Sequence, residues 1–246
     1  MAGWFHGMQA NYSVFCDFDG TVSVRDATDV LLEAYALPQW RLIEKSWRAG
    51  NIGSMECMRR QVALLRCSRK ELDDLVDQVA IDPGFADFVL TCREAAVPVV
   101  VLSDGLDYVI GRVLRNNGLS EIPFYANRLE MHADGSYSLA FPQAQAGCIA
   151  ASGTCKCALM RALHRPGAAS VLVGDGASDF CAAREAADFV FAKDSLLEHC
   201  RRFALPHGAY EDFRDVTRLL FNLKLGECDS EESSPVLSYA GYPQNG

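Results

Sequence analysis

The chain has 246 residues, half of them hydrophobic and 22% charged, with a formal net charge of -9. This is an ordinary globular composition with enough length for a sizeable core. The acidic balance argues against general binding to nucleic acid or to an anionic membrane, while leaving room for a phosphate ester wherever a divalent cation supplies positive charge.

In chain order, the first strong element is "SVFCDFDG", an apolar run ending in two aspartates, Asp17 and Asp19. Residues 26–79 contain "DATDVLLEAYAL", "PQWRLIEKSWRAG", "SMECMRRQVALLR" and "SRKELDDLVDQVA", four helical patterns with no strand candidate. Asp26 and Ser68 suit helix N-caps, and Gly50 suits a helix stop. "IDPGFADFVLTCREA" reads as a further helix opened by Pro83. "VPVVVLSDG" and "ASVLVGDGASD" repeat the construction of the first strand, with helices expected over Leu106–Asn117 and Thr154–Leu163. Between them, "IPFYANRLEMHADGSYSLAF" reads as a hairpin turning at Asp134-Gly135. Near-continuous apolar runs alternating with helices predict a parallel α/β sheet buried on both faces. Ligands of such sheets bind beyond the carboxyl ends of the strands, where the polar clusters fall. The expected organisation is a discontinuous core of residues 12–24 and 82–225, a helical cap over 25–81, and an acidic, disordered tail over 226–246.

The chain thus offers D17-F-D19-G-T21 after one strand, S103-D-G after another, Lys156 opening a helix, and G174-D175-G-A-S-D179 after a third strand. This ordered set resembles the haloacid dehalogenase superfamily, whose phosphatases carry D-x-D-x-T, a later Ser or Thr, a Lys, and G-D-x-x-x-D. The resemblance covers roughly residues 12–222 and implies a Rossmann-like core with an inserted helical cap. A carboxylate nucleophile can accept a phosphoryl group and split one difficult displacement into two. Asp17 is the candidate nucleophile, and Asp19 the acid that protonates the leaving alcohol and then activates water. Dehalogenases of the superfamily lack that second acid, so Asp19 favours phosphoryl chemistry. Mg²⁺, a hard ion, is the implied cofactor, with Asp17, Asp175, Asp179 and, by resemblance, the Asp19 carbonyl as candidate ligands. Thr21, Ser103, the backbone of Asp104 and Gly105, and Lys156 are the candidate phosphate contacts, with Lys156 also expected to keep Asp17 ionised. The Asp104 side chain reads as a turn or helix-start group, and Lys70 and Lys193 are weaker rivals of Lys156.

A helical cap between the first two motifs marks the phosphoserine-phosphatase-like branch. There, a Glu nine residues after the nucleophile contacts the substrate amine; here that position is Asp26. A cap Arg that binds the substrate carboxylate in those enzymes aligns with Gln61, next to Arg59 and Arg60. "DFDGTVSVRDATD", "DPGFADFV", "FPQAQAGCIAASGTCK" and "YEDFRDVTRLL" resemble more closely the branch containing the methionine-salvage phosphatase. The cap residues expected to face the site are Asp26, Glu33, Met55, Arg59 and Arg60. The expected activity is hydrolysis of a small phosphorylated metabolite. Phosphotransfer through the same nucleophile is the alternative, and a metal- or redox-binding protein the reading from another class. Ten scattered cysteines, no basic stretch followed by an apolar core near the start, and no apolar run longer than about "AAVPVVVL" suggest a cytoplasmic chain with reduced thiols and no membrane span. Cys148, Cys155 and Cys157 flank Lys156; packing thiols are favoured there over zinc, for which His132 or His164 would have to supply a fourth ligand. Nothing in the sequence fixes the oligomeric state.

Overall fold

The computed structural model describes residues 11–222; the expected tail lies outside them. Seven strands form one sheet in the order β4-β3-β2-β1-β5-β6-β7. They are β1 (Tyr12–Cys16), β2 (Val99–Leu106), β3 (Phe124–Met131), β4 (Tyr137–Ala140), β5 (Ala169–Gly174), β6 (Phe189–Ala192) and β7 (His207–Ala209). All neighbours are parallel except β3 and β4, the hairpin that turns at Gly135 with φ +81°.

Period-2 alternation divides the core into two layers. Val14 and Cys16 of β1, Val101 of β2, and Val171 and Val173 of β5 face one layer; Phe15, Leu102 and Leu172 face the other. On the first side lie α5 (Phe85–Glu94), α6 (Asp107–Asn116) and α10 (Phe213–Leu220). Phe213 closes an aromatic cluster there, 4.8 Å from Phe85 and 5.1 Å from Phe88 between ring centroids. Buried Asp82 fixes the geometry by accepting the backbone N–H groups of Gly84 at 2.8 Å and Phe213 at 3.2 Å. That turn delays α5 to Phe85, two residues after Pro83. On the opposite side lie α7 (Lys156–Leu163), α8 (Phe180–Glu185) and α9 (Asp194–Arg202), with Met160, Ala182 and Leu196 buried.

Four helices intervene between β1 and α5: α1 (Ala27–Tyr35), α2 (Trp40–Arg48), α3 (Ser54–Val62) and α4 (Arg69–Val76). Asp26 caps α1 by accepting the Asp29 N–H at 2.7 Å, and Ser68 with Glu71 forms a capping box on α4. Gly50, past the end of α2, has φ +75°, a left-handed conformation that suits a glycine stop.

Because β1 is central and the chain runs outward to β2 on one side and returns to β5 on the other, the strand order reverses at β1. Cys16 is level with Val101 and Val173 in the two ladders. The residues just beyond them, Asp17, Ser103 and Asp175, therefore emerge at one end of one crevice.

Phe213→Ala should lower unfolding stability by about 3–5 kcal/mol, read as a lower urea midpoint with unchanged slope. A loss near that of an exposed substitution would show that α10 is not part of the core's cooperative unit.

Candidate active site

Asp17 lies immediately after β1 and is buried, with both carboxylate oxygens engaged. Oδ1 accepts the Phe18 N–H at 2.6 Å; Oδ2 receives the Lys156 ammonium at 2.8 Å and the Ser178 hydroxyl at 3.1 Å. Lys156, the first residue of α7, is itself buried and also reaches Asp179 Oδ1 at 2.6 Å and Ser178 Oγ at 3.0 Å. Burial alone would lower its pKa, but Asp17 and Asp179 outweigh that and raise it. Lys193 instead sits over the Tyr210 ring, and Lys70 pairs with Asp74.

Asp19 points toward the second strand end. Its Oδ1 accepts the Ala27 N–H at 2.8 Å and its Oδ2 the Ser103 hydroxyl at 3.4 Å. Desolvation in the cleft, then repulsion from Asp17, pushes its pKa up to about 7 against the pull of the backbone donors. Asp175 rises to about 6 for the same two reasons in the same order, and Asp179 is raised by burial and by Asp17.

Three glycines make this crowding possible by vacating the space of a Cβ. A Cβ on Gly20 would stand 2.7 Å from Asp175 Oδ2; one on Gly105 would overlap Asp19 Oδ2, and one on Gly174 would overlap Asp179 Oδ2. Gly20 also has φ +75°, which lets the chain turn sharply after Asp19. The glycine beside each acid is thus a steric requirement of the cluster.

The Thr21 and Asp104 side chains have structural roles beside the cleft. Thr21 is buried, and its hydroxyl donates to Asp175 Oδ1 at 2.7 Å, so it aims a carboxylate and does not line the cleft. The Asp104 side chain, read as a turn or helix-start group, is a junction. It accepts from the Thr154 N–H at 2.9 Å, from Asn127 Nδ2 at 3.2 Å and from the Ser54 hydroxyl of α3. Ser103 Oγ accepts the Gly105 N–H at 2.9 Å, which shapes the loop around the cleft.

The cleft has a cavity of about 210 Å³, floored by Asp17, Asp19, Ser103, Gly105 and Asp175. Its roof is built by Asp26 and Asp29 at the start of α1, Glu44, Trp47 and Arg48 of α2, and Cys57, Met58 and Gln61 of α3. Glu44 organises that roof: Arg48 Nε donates to it at 2.7 Å and Gln61 Nε2 at 3.0 Å. Arg59 and Arg60 are not in the roof. Both turn outward to Glu56, at 2.5 and 2.6 Å, and Arg59 also covers the Phe141 ring. Glu33 pairs with Arg25 on the surface, and Met58 takes the place expected of Met55. Sequence reasoning missed Ser178, one residue before Asp179 in its motif, and Glu44, whose only signal was its place on a helix of the inserted segment; Gln61, the position aligned with the cap Arg, does line the cavity.

Asp17, Asp175 and Asp179 place carboxylate oxygens within 4.8 Å of one another, and among the described residues no other group of His, Cys, Asp or Glu does so. Four acids, counting Asp19, crowd one ammonium, so the site carries uncompensated negative charge with oxygen donors only. Those donors fit a hard divalent cation such as Mg²⁺. A zinc site at Cys148, Cys155 and Cys157 finds no histidine: His132 bonds Ser138 and His164 bonds Ser170.

Residues 14–184 match the haloacid dehalogenase-like hydrolase family. The chain belongs to that family. Among its curated relatives, a 2-hydroxy-3-keto-5-methylthiopentenyl-1-phosphate phosphatase of Geobacillus kaustophilus is 31% identical over 216 residues, covering 86% of this chain and 96% of the relative. The phosphatase of that name from Brevibacillus brevis is 28% identical, covering 87% and 96%. A solved phosphoserine phosphatase, captured as an analogue of its phospho-aspartyl intermediate, superposes with a TM-score of 0.66 at 18% identity, covering 85% of this chain and 98% of its own. A haloacid dehalogenase family hydrolase from Salmonella enterica serovar Typhi gives 0.67 at 19%, covering 88% and 72%. The chain is accordingly a phosphatase of this family with the family's α/β fold, and no helix among its described residues is long and apolar enough to cross a membrane.

The raised carboxylates make a prediction about stability. Unfolded aspartates ionise near pH 4, so between about pH 5 and 8 the metal-free folded chain binds more protons than the unfolded one, and its stability falls as pH rises. The Tm of EDTA-treated protein should be lower near pH 8 than near pH 6, and Mg²⁺ should raise Tm more at the higher pH. A metal-free Tm that climbs over this range would contradict the arrangement.

Proposed function

We propose that the chain is a Mg²⁺-dependent phosphomonoester hydrolase acting through an aspartyl-phosphate on Asp17. The observation that carries this reading is a carboxylate at the floor of a 210 Å³ cavity, oriented by a buried lysine 2.8 Å away, with a second acid beside it raised to about 7. Asp17 is held by three donors, which fixes its direction for in-line attack on phosphorus. Asp19, poised between its two protonation states near neutral pH, donates a proton to the leaving alkoxide and then removes one from the water that cleaves the acyl phosphate. Ser103, the backbone around Gly105, and Lys156 counter the charge on the transferring phosphoryl group. Asp17 and Asp175, with the Asp19 carbonyl, are the proposed Mg²⁺ ligands, and Asp179 holds Lys156 behind them. The ion, when bound, would supply positive charge for a phosphate dianion that the carboxylates alone would repel.

Residues 25–81 act in this reading as a cap that closes over the substrate and excludes water, on the core formed by 12–24 and 82–225. The substrate is a small phosphorylated metabolite with an uncharged carbon chain, such as the 2-hydroxy-3-keto phosphate (an enolised diketone phosphate) in the relatives' name. Glu44, Asp29 and Asp26 disfavour a carboxylate, while Trp47, Cys57 and Met58 offer a soft apolar wall suited to a thioether. Phosphoserine fits less well, because Gln61 is held by Glu44 and Arg48, the cap arginine that lines the cavity, is paired with that same carboxylate. A cytoplasmic setting accords with nine described cysteines that are all free thiols.

Phosphate release from a panel of monoesters, with Mg²⁺ or EDTA, tests the reaction. Wild type should turn over the diketone phosphate only with Mg²⁺, and Asp17→Asn should lose at least about a thousandfold. Asp19→Asn should lose far more on alkyl esters than on p-nitrophenyl phosphate, whose leaving group needs no proton. Equal losses on both would remove Asp19 from the acid role, and residual turnover in Asp17→Asn near wild type would remove the covalent route. Gln61→Arg should raise kcat/KM for phosphoserine relative to the diketone phosphate by about tenfold, roughly 1.4 kcal/mol of discrimination. No change would mean that the roof does not select against the carboxylate.

A further inference from the structure

The phosphatase chemistry leaves the thiols around Lys156 unused. Cys155 and Cys157 lie on either side of that lysine in sequence, and their sulfurs are 3.5 Å apart. Cys181, in α8, places its sulfur 3.5 Å from that of Cys157. Cys157 and Cys155 are buried, whereas Cys181 is half-exposed. The sulfurs run as a row and not as a cluster, since among the described residues no three thiols lie mutually within 4.8 Å. A tetrahedral ion needs such a cluster; a disulfide needs only two sulfurs and an oxidant that can reach one of them.

Where the pair lies gives it a consequence. Cys157 follows Lys156 directly, and Cys181 is two residues beyond Asp179. Lys156 and Asp179 form the 2.6 Å ion pair behind the nucleophile. The two sulfurs therefore span α7 and α8 on the same pair of segments that position this ion pair.

We propose that Cys157 and Cys181 are an oxidative modification site, at which a peroxide closes a disulfide between α7 and α8 and suppresses turnover. The Cys181 thiolate attacks one peroxide oxygen, the O–O bond breaks, and the sulfur becomes a sulfenic acid as the other oxygen leaves as hydroxide and takes up the proton the thiol had lost, giving water. The Cys157 sulfur then attacks the sulfenic sulfur; the S–S bond forms, the S–O bond breaks, and the leaving hydroxide takes the Cys157 proton as a second water. Two thiols lose two electrons and one peroxide gains them. Drawing the sulfurs from 3.5 Å to the covalent distance of about 2.05 Å shifts the two helix starts relative to one another. A displacement on the order of 1 Å in catalytic groups costs up to about a hundredfold in rate.

The inhibitory part rests on the role proposed for Lys156; the cross-link does not. Full-length protein with Mg²⁺ is treated with hydrogen peroxide and digested without reduction, and the linked peptides are identified by mass. p-Nitrophenyl phosphate turnover is followed in parallel. The expected result is a Cys157–Cys181 linked peptide with a kcat loss of about tenfold or more, both reversed by dithiothreitol. Cys181→Ser and Cys157→Ser should start with near-wild-type rates and keep them in peroxide, while Cys148→Ser should be inhibited like wild type. A different pairing, no pairing, a cross-link without loss of rate, or inhibition that persists in Cys181→Ser would each overturn the proposal. A reduced protein that hydrolyses nothing while still forming the linked peptide would instead refute the phosphatase reading.

Discussion

One buried ammonium facing several carboxylates is the constraint around which the site is arranged. Lys156 bridges Asp17 and Asp179 with all three groups almost wholly removed from solvent. Taking such charges out of water is costly unless each finds partners, and one lysine cannot neutralise four acids. The chain meets part of the cost with neutral donors: the Phe18 N–H and Ser178 hydroxyl on Asp17, Thr21 on Asp175, and the Ala27 N–H on Asp19. What remains is a negative deficit open on one side, toward the cavity. An ion of charge two and a phosphate dianion are complementary to such a deficit in sequence, first the cation and then the anion it attracts.

The fold supplies what that arrangement demands. Rigid parallel strands deliver Asp17, Ser103 and Asp175 at one edge, and the return of the chain through α7 brings Lys156 beneath them. Glycines then admit the carboxylates to distances that any side chain would forbid. Catalytic groups on strand ends and helix starts are held more closely than groups on long loops. Above the floor, the wall is assembled from three separate helices.

This division explains what could be read from the sequence. Apolar runs ending in Asp and Gly mark buried parallel strands, so β1, β2, β5, the hairpin and the inserted helices were legible, with helix ends displaced by up to four residues, whereas the short β6 and β7 and the helices α8 and α9 were not read. The floor of the cleft was legible too, because each of its acids follows a strand directly. The roof was not. Which face of α3 looks inward depends on tertiary packing: Glu56 captures Arg59 and Arg60 three and four residues on, and Gln61 is left facing Glu44 of another helix. The Thr21 hydroxyl bond to Asp175 was not legible, because the motif says that a hydroxyl is needed and not which group it touches.

Asp104 carries one more implication. Its carboxylate is shared by Ser54 at the start of α3, Asn127 of β3 and the Thr154 backbone two residues before Lys156, and the Met55 N–H reaches the Ala151 carbonyl of that same loop at 3.0 Å. A helix start of the inserted segment and the run leading to the lysine are therefore fastened to one anchor. Swinging α3 away would strip a hydrogen bond from that anchor and tug on the loop, so access to the cleft and the seating of its ammonium are mechanically geared. Traffic of substrate in and product out would then be felt at the nucleophile through this anchor as well as through the phosphoryl contact proposed for Lys156.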